Sequence, residues 1–148
     1  MNEDPAFGYS LKLVNGDILL TDIQPTGNGL QLVHGKENLL QALNLRVQTP
    51  AGSDVLNTTY GLAYTQIFTQ PETLSLAKEQ IKLSLVQTLA TDPRVHSVRD
   101  IIFSDDPRYI SQSTQANVDP RISRSWSVQV LIETLNAQIA TLALNIGA

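Results

Sequence analysis

The chain has 148 residues, no cysteine, 42% hydrophobic and 16% charged residues, and a formal net charge of -4. That length suits one domain able to bury roughly 70% of the surface its unfolded form exposes. The missing cysteine excludes a disulfide framework and any thiolate chemistry. Ten scattered Lys and Arg against fourteen acids argue against nucleic acid, and no stretch approaches the roughly 20 apolar residues of a membrane span.

Residues 1–8 read as a loose arm; Met1-Asn2-Glu3-Asp4-Pro5 is acidic and polar, unlike a signal peptide, so the expectation is a cytoplasmic globular domain. Leu11–Val14 and Asp17–Leu20 flank Asn15-Gly16. An Asn-Gly pair between apolar runs predicts a type I′ hairpin, whose two central residues need φ > 0. Gln24 to Gly29 reads as a loop, and Leu30–Val33 as a further short strand.

From Lys36 to Val47 the period lengthens: Leu40, Leu43 and Val47 recur at helical spacing, with Leu39 beside them. Thr49-Pro50-Ala51-Gly52 ends that helix. Ser53 to Phe68 shows no clear period, and Tyr60-Gly61-Leu62 sits in its middle. Gln70-Pro71-Glu72-Thr73 opens a second helix running to about Ala90. Leu74, Ala77, Ile81, Leu85 and Leu89 form its main stripe, while Leu76, Leu83, Val86 and Ala90 fall on a second, nearly opposite face. A helix apolar on two faces is either central to its domain or covered by a partner.

Asp92-Pro93 stops the helix, and Val95 to Phe103 reads as a strand. Ser104 to Ser125 is a long polar loop with Asp106-Pro107 and Asp119-Pro120, a length that is usually functional or disordered. Trp126, Val128, Val130 and Ile132 alternate as a half-buried strand; Leu135 to Gln138 is a turn; Ile139 to Ile146 is a last strand, apolar on both faces. The order predicts an α+β domain: two helices on a small, mainly antiparallel sheet, with residues 1–34 as an N-terminal arm and hairpin extension and 35–148 as the main domain.

Chemistry is hard to find. His34 and His96 stand apart from other ligand types, Gly27-Asn28-Gly29 lacks the lysine and spacing of a phosphate loop, and there is no Gly-x-Ser-x-Gly elbow. Glu37, Glu79 and Glu133 could serve a glycosidase only if two of them faced one cleft. No catalytic, cofactor-binding or metal-binding residue is expected.

Thr49-Pro50-Ala51-Gly52, then Tyr60-Gly61-Leu62, then a helix closing on Asp92-Pro93-Arg94-Val95 together resemble the small baseplate wedge family of contractile injection machines. That family includes the phage GPW-type wedge protein and the TssE subunit of type VI secretion. Its members carry a Thr-Pro-Arg-Gly-like turn, a Tyr-Gly and a Glu-Pro-Arg at a helix end. The likeness covers roughly residues 36–103. Asp92 keeps the charge of the family's Glu with a shorter reach, and Ala51 stands where the family often has Arg.

The resemblance implies a structural part rather than an enzyme. It would link wedge subunits near the hub and nucleate sheath polymerisation by strand addition, with other wedge subunits, the sheath protein and central hub or spike proteins as partners. It implies no cofactor, no nucleic acid and no membrane insertion. The residues expected at interfaces are Asp92, Pro93 and Arg94; Leu76, Leu83 and Val86 on the second helix; and Ile139, Thr141, Leu142 and Leu144 on the last strand.

For Arg94 the alternatives are a bidentate contact to a partner carboxylate, an internal pair with Asp92 or another acid, or a solvated side chain. For the last strand they are an open edge that templates pairing, or burial at the centre of the sheet. The rival functions are a small cell-wall glycoside hydrolase, lysozyme-like, and an unrelated α+β binding module.

Overall fold

A computed structural model describes residues 5–23, 27–63, 73–109 and 125–147. The chain forms two compact units, Met1–Ala42 and Leu43–Ala148. Helix α1, Gly35–Gln48, begins in the first and ends in the second.

The first unit is built from short antiparallel ladders. A 3-10 turn, Pro5–Phe7, leads to β1 (Tyr9–Leu11), β2 (Leu13–Val14), β3 (Asp17–Ile18), β4 (Leu20–Ile23), β5 (Gly27–Leu30) and β6 (Leu32–His34). β1 pairs with β6, β2 with β3, and β4 with β5. The β2–β3 turn is the predicted one: Asn15 and Gly16 have φ of 52° and 87°, the conformation an Asn-Gly pair adopts at least cost.

Gly27-Asn28-Gly29, expected within a loop, is strand instead. Thr21, Asp22 and Ile23 supply backbone partners for Gly29, Asn28 and Gly27, and a ladder needs no side chain from them. The three ladders meet in a ring of main-chain bonds. Lys12 N–H donates to Gln31 C=O (2.8 Å), Gln31 N–H to Leu19 C=O (3.1 Å), and Leu19 N–H to Lys12 C=O (3.0 Å).

One face of β1–β6 meets α1. Asn38 Nδ2 donates to the Phe7 carbonyl (2.7 Å), Ser10 Oγ to Asn38 Oδ1 (2.5 Å), and Gln41 Nε2 to the Leu11 carbonyl (2.8 Å), while Gln41 Oε1 accepts from Leu13 N–H (2.9 Å). Buried Phe7, Val33 and Leu39 complete this small core.

The second unit contains α2 (Leu74–Leu89), β7 (Val95–Phe103), β8 (Ser125–Thr134) and β9 (Ile139–Gly147). Thr73 caps α2, its hydroxyl accepting from Leu76 N–H; Gln70, Pro71 and Glu72, read as the helix opening, lie outside the described residues. The sheet is antiparallel in the order β7-β8-β9, so β8 is central. On β8, Trp126, Val128, Val130 and Ile132 are all buried, as their alternation predicts. They share the core with Ile81, Leu85 and Leu89 of α2, Leu43 and Val47 of α1, and Ala140, Leu142, Leu144 and Ile146 of β9.

The turn after β8 uses a positive φ at Ala137 (57°), with Thr134 N–H donating to the Gln138 carbonyl. The fold is therefore the expected α+β type with N-terminal hairpins. The polar loop after β7 is described only to Tyr109.

Candidate functional site

The three motifs that stand out in the sequence are brought together at one junction in the second unit. Leu62 N–H donates to the Thr49 carbonyl (2.8 Å), and Ala51 N–H to the Leu62 carbonyl (3.1 Å), so Pro50 and Leu62 form a parallel bridge. Gly61 makes this approach possible: its φ is +108°, and a Cβ there would stand 2.4 Å from the Thr49 oxygen. The Thr88 hydroxyl on α2 donates to the Gly61 carbonyl (3.2 Å). Arg46, in the last turn of α1, lies with its guanidinium 4.8 Å from the Tyr60 ring centroid and donates to the Thr91 hydroxyl.

Next to Thr91, Asp92 is buried, and Arg94 closes on it. Arg94 Nε donates to Asp92 Oδ1 (3.0 Å), Nη2 to Oδ2 (2.8 Å), and the Arg94 backbone N–H to Oδ1 (3.0 Å). Burial alone would raise the Asp92 carboxyl, but the Arg94 hydrogen bonds and the charges of Arg94 and Arg46 outweigh it and hold the pKa below 3.8. The same contact raises Arg94. Of the alternatives for Arg94, the internal pair with Asp92 is the one observed. Pro93 is exposed at the apex of the turn.

The same tripeptide recurs as Asp106-Pro107-Arg108 and makes the same local clamp. Arg108 Nε and Nη2 donate to the Asp106 carboxylate (3.1 and 2.8 Å), the Arg108 N–H caps Oδ1 (2.9 Å), and Nη1 reaches Asp100 (2.7 Å). There the Arg108 hydrogen bonds lower Asp106 to about 2. A third copy, Asp119-Pro120-Arg121, lies outside the described residues. Proline fixes the chain between acid and base, and the Asp92 and Asp106 copies both fold back on themselves.

The second face of α2 is solvent-facing: Leu76, Leu83 and Val86 are all exposed, with Leu83 at 59%, while Ile81, Leu85 and Leu89 are inside. β9 is an edge strand, not a central one; among the described residues nothing pairs with its outer side. Leu142 and Leu144 are buried, whereas Ile139 and Thr141 are exposed. The outward face is thus Ile139, Thr141, Ala143 and Asn145, mixed rather than apolar, because alternation in register with β8 sends the leucines into the core.

The backbone polarity of that edge follows from the ladder. Thr134 N–H points to β9 and Ser127 C=O to β7, where it accepts from Ser104 N–H (3.0 Å). Alternation then directs the N–H and C=O of Thr141, Ala143 and Asn145 away from β8.

The opposite edge is different. β7 has two register shifts, between Val95 and Ser97 and between Val98 and Asp100, and carries exposed His96 and Arg99. Bulges and charges are how an edge is blunted against pairing. β9 has neither: its register is continuous and no residue from Ile139 to Gly147 is charged.

Two of the three carboxylates weighed for hydrolysis, Glu79 and Glu133, have other partners. Glu79 pairs with Lys82 (3.2 Å) on exposed α2. Glu133 accepts from Ser97 (3.0 Å) and pairs with Arg99 (2.5 Å); those contacts lower its pKa, the reverse of what a general acid needs.

Val55 and Leu56 are 90% and 97% exposed at the tip of the loop after α1, where Asp54 Oδ1 accepts from Leu56 and Asn57 N–H. An apolar pair next to a turn-forming Asp was the available signal.

Residues 8–120 match the family described as contractile injection system sheath initiator. No curated protein matches the chain.

Proposed function

The chain belongs to the contractile injection system sheath initiator family, and on that premise we propose that it starts the sheath through the outer edge of β9. Membership of the family makes it a structural component at the foot of the sheath, with sheath and baseplate proteins as its partners. The observation that carries the finer reading is the contrast between the two edges of its sheet. β7 is bulged and charged, while β9 is regular, uncharged and offers outward N–H and C=O groups at Thr141, Ala143 and Asn145. A sheath strand added there would continue the β7-β8-β9 order by main-chain hydrogen bonding, which gives affinity with little demand on sequence.

In this reading the wedge contacts lie elsewhere. The Asp92-Pro93-Arg94 turn is rigid because Arg94 is locked to Asp92, so it presents Pro93 in one fixed shape. The exposed stripe Leu76, Leu83 and Val86 is the second proposed docking face for wedge subunits near the hub. The protein would be made in the cytoplasm and act within the assembled particle.

The test is complementation of a host lacking the chain with Ala143→Pro. Proline at an outward position removes one edge donor and leaves the bonds to β8. Complete baseplates without sheath are the expected product; normally sheathed particles from a folded variant would remove the strand-addition reading.

A further inference from the structure

We infer that Asn15 is a site of self-modification: its side-chain amide is lost through a cyclic succinimide, leaving aspartate or isoaspartate at the hairpin tip. The chain contains two Asn-Gly dipeptides, Asn15-Gly16 and Asn28-Gly29. A following glycine puts no side chain beside the attacking backbone nitrogen, so these are the two asparagines at which ring closure meets least obstruction. The fold treats them oppositely.

Asn15 and Gly16 are exposed at the tip of β2–β3, between the paired residues Val14 and Asp17, so the ladder makes no use of the Gly16 N–H. Their φ values of 52° and 87° are those of a type I′ turn. Ring closure needs the Asn15 Cβ eclipsed with the Gly16 nitrogen about the Cα–C bond. That is the geometry of the first central residue of a type II′ turn, φ about +60° and ψ about −120°. The Asn15 φ is therefore already in place, and a flip of the one peptide between Asn15 and Gly16 converts the first turn into the second. Gly16 tolerates the change of sign in its φ, and a Cβ built on it would meet no atom within 4 Å, so the flip has room. Both turns suit a two-residue hairpin, so the β2–β3 pairing survives the flip. Asn28-Gly29 lies instead within β5, paired with Asp22 and Thr21 of β4. Gln31 N–H donates to the Leu19 carbonyl (3.1 Å), and alternation along β5 directs the Gly29 N–H to Thr21 in the same way. The Gly29 nitrogen cannot turn toward Asn28 without giving up that ladder.

The chemistry needs only water. The Gly16 nitrogen gives up its proton to hydroxide and attacks Asn15 Cγ. The new N–Cγ bond closes a five-membered ring, the Cγ–Nδ2 bond breaks, and Nδ2 takes up a proton and leaves as ammonia. Water then opens the ring. Breaking the bond from the nitrogen to Cγ gives aspartate; breaking the bond from the nitrogen to the Asn15 main-chain carbonyl carbon gives isoaspartate. Nothing is oxidised or reduced. Either product adds one negative charge, beside Asp17, to a chain whose net charge is -4. Isoaspartate also routes the main chain through Cβ, which lengthens a turn whose length sets the register of Leu13 with Ile18 and Val14 with Asp17. The conversion marks the age of each copy at this hairpin, and it is independent of strand addition at β9.

The experiment incubates the purified full chain at pH 8, folded and in denaturing urea, and digests samples with trypsin over time. The tryptic peptide Leu13–Lys36 carries both asparagines. Tandem mass spectrometry locates the mass gain, and electron-transfer fragmentation separates isoaspartate from aspartate. In urea the two sites should convert at similar rates. In the folded chain Asn15 should keep its unfolded rate within about threefold, while the ladder slows Asn28 by about tenfold or more. Isoaspartate should be among the products at position 15. Asn15 slowed by folding as much as Asn28 would overturn the inference. So would Asn28 reacting as fast as Asn15 in the folded chain, or conversion of Asn15 to aspartate alone, which is direct hydrolysis without a ring.

Discussion

Gly61 lies against the carbonyl of Thr49 so closely that no side chain fits between them: an added Cβ would stand 2.4 Å from the oxygen and 2.9 Å from the Pro50 carbonyl carbon. Gly61→Ala should therefore cost about 3 kcal/mol, combining the strain of a φ of +108° with displacement of the 49–51 backbone. Gly16, also at positive φ but with open space around it, is the control: Gly16→Ala should cost about 1 kcal/mol. Urea denaturation of the two variants checks the difference. Equal losses would mean that the Thr49–Gly61 approach does not support the unit.

Asp92 and Arg94 predict an acid response. The folded state holds the Asp92 pKa below 3.8, so on acidification the unfolded chain takes up the proton first. The stabilisation is complete above the unfolded value and is lost as pH falls through the lower, folded one. Asp92→Asn should be less stable than wild type at pH 7 and lose less on going from pH 5 to pH 3. Asp92→Ala, which removes the carboxylate that accepts the Arg94 side-chain and backbone hydrogen bonds, should cost about 2 kcal/mol at pH 7. Asp106, more open than Asp92 in a clamp of the same design, is the comparison: Asp106→Asn should leave the unfolding midpoint at pH 7 nearly unchanged.

The two faces of α2 separate stability from assembly. Leu85 is fully buried, so Leu85→Ala should cost about 3 kcal/mol. Leu83, 59% exposed, should cost under about 1 kcal/mol as Leu83→Ala. Leu83→Asp should leave the thermal midpoint within a few degrees of wild type and reduce recovery of complete baseplates. A large stability loss from Leu83→Asp would place that face within the fold rather than at an interface.

Period and turn chemistry carried most of this architecture. The Asn15-Gly16 hairpin, the core stripe of α2 and the alternation of β8 are local patterns, and each appears where the residues predict. What the sequence could not convey depended on pairing across distance. Gly27–Gly29 reads as a loop because glycine favours turns, yet the partners in β4 decide its state. The position of β9 at an edge follows from sheet order, which its own residues do not encode. Arg94 was legible as a residue with a constrained backbone, but only the folded turn shows its guanidinium locked to Asp92.

The central claim is that sheath strands add at β9. The native chain has no cysteine, so Ala143→Cys provides a single labelling point on the outward edge, and His96→Cys one on the bulged strand β7. Each variant is labelled with a short photo-crosslinker, assembled into particles and irradiated, and the adducts are identified by mass spectrometry. The account predicts that position 143 captures the sheath protein and position 96 does not. Sheath protein captured at position 96, with none at 143, would contradict it.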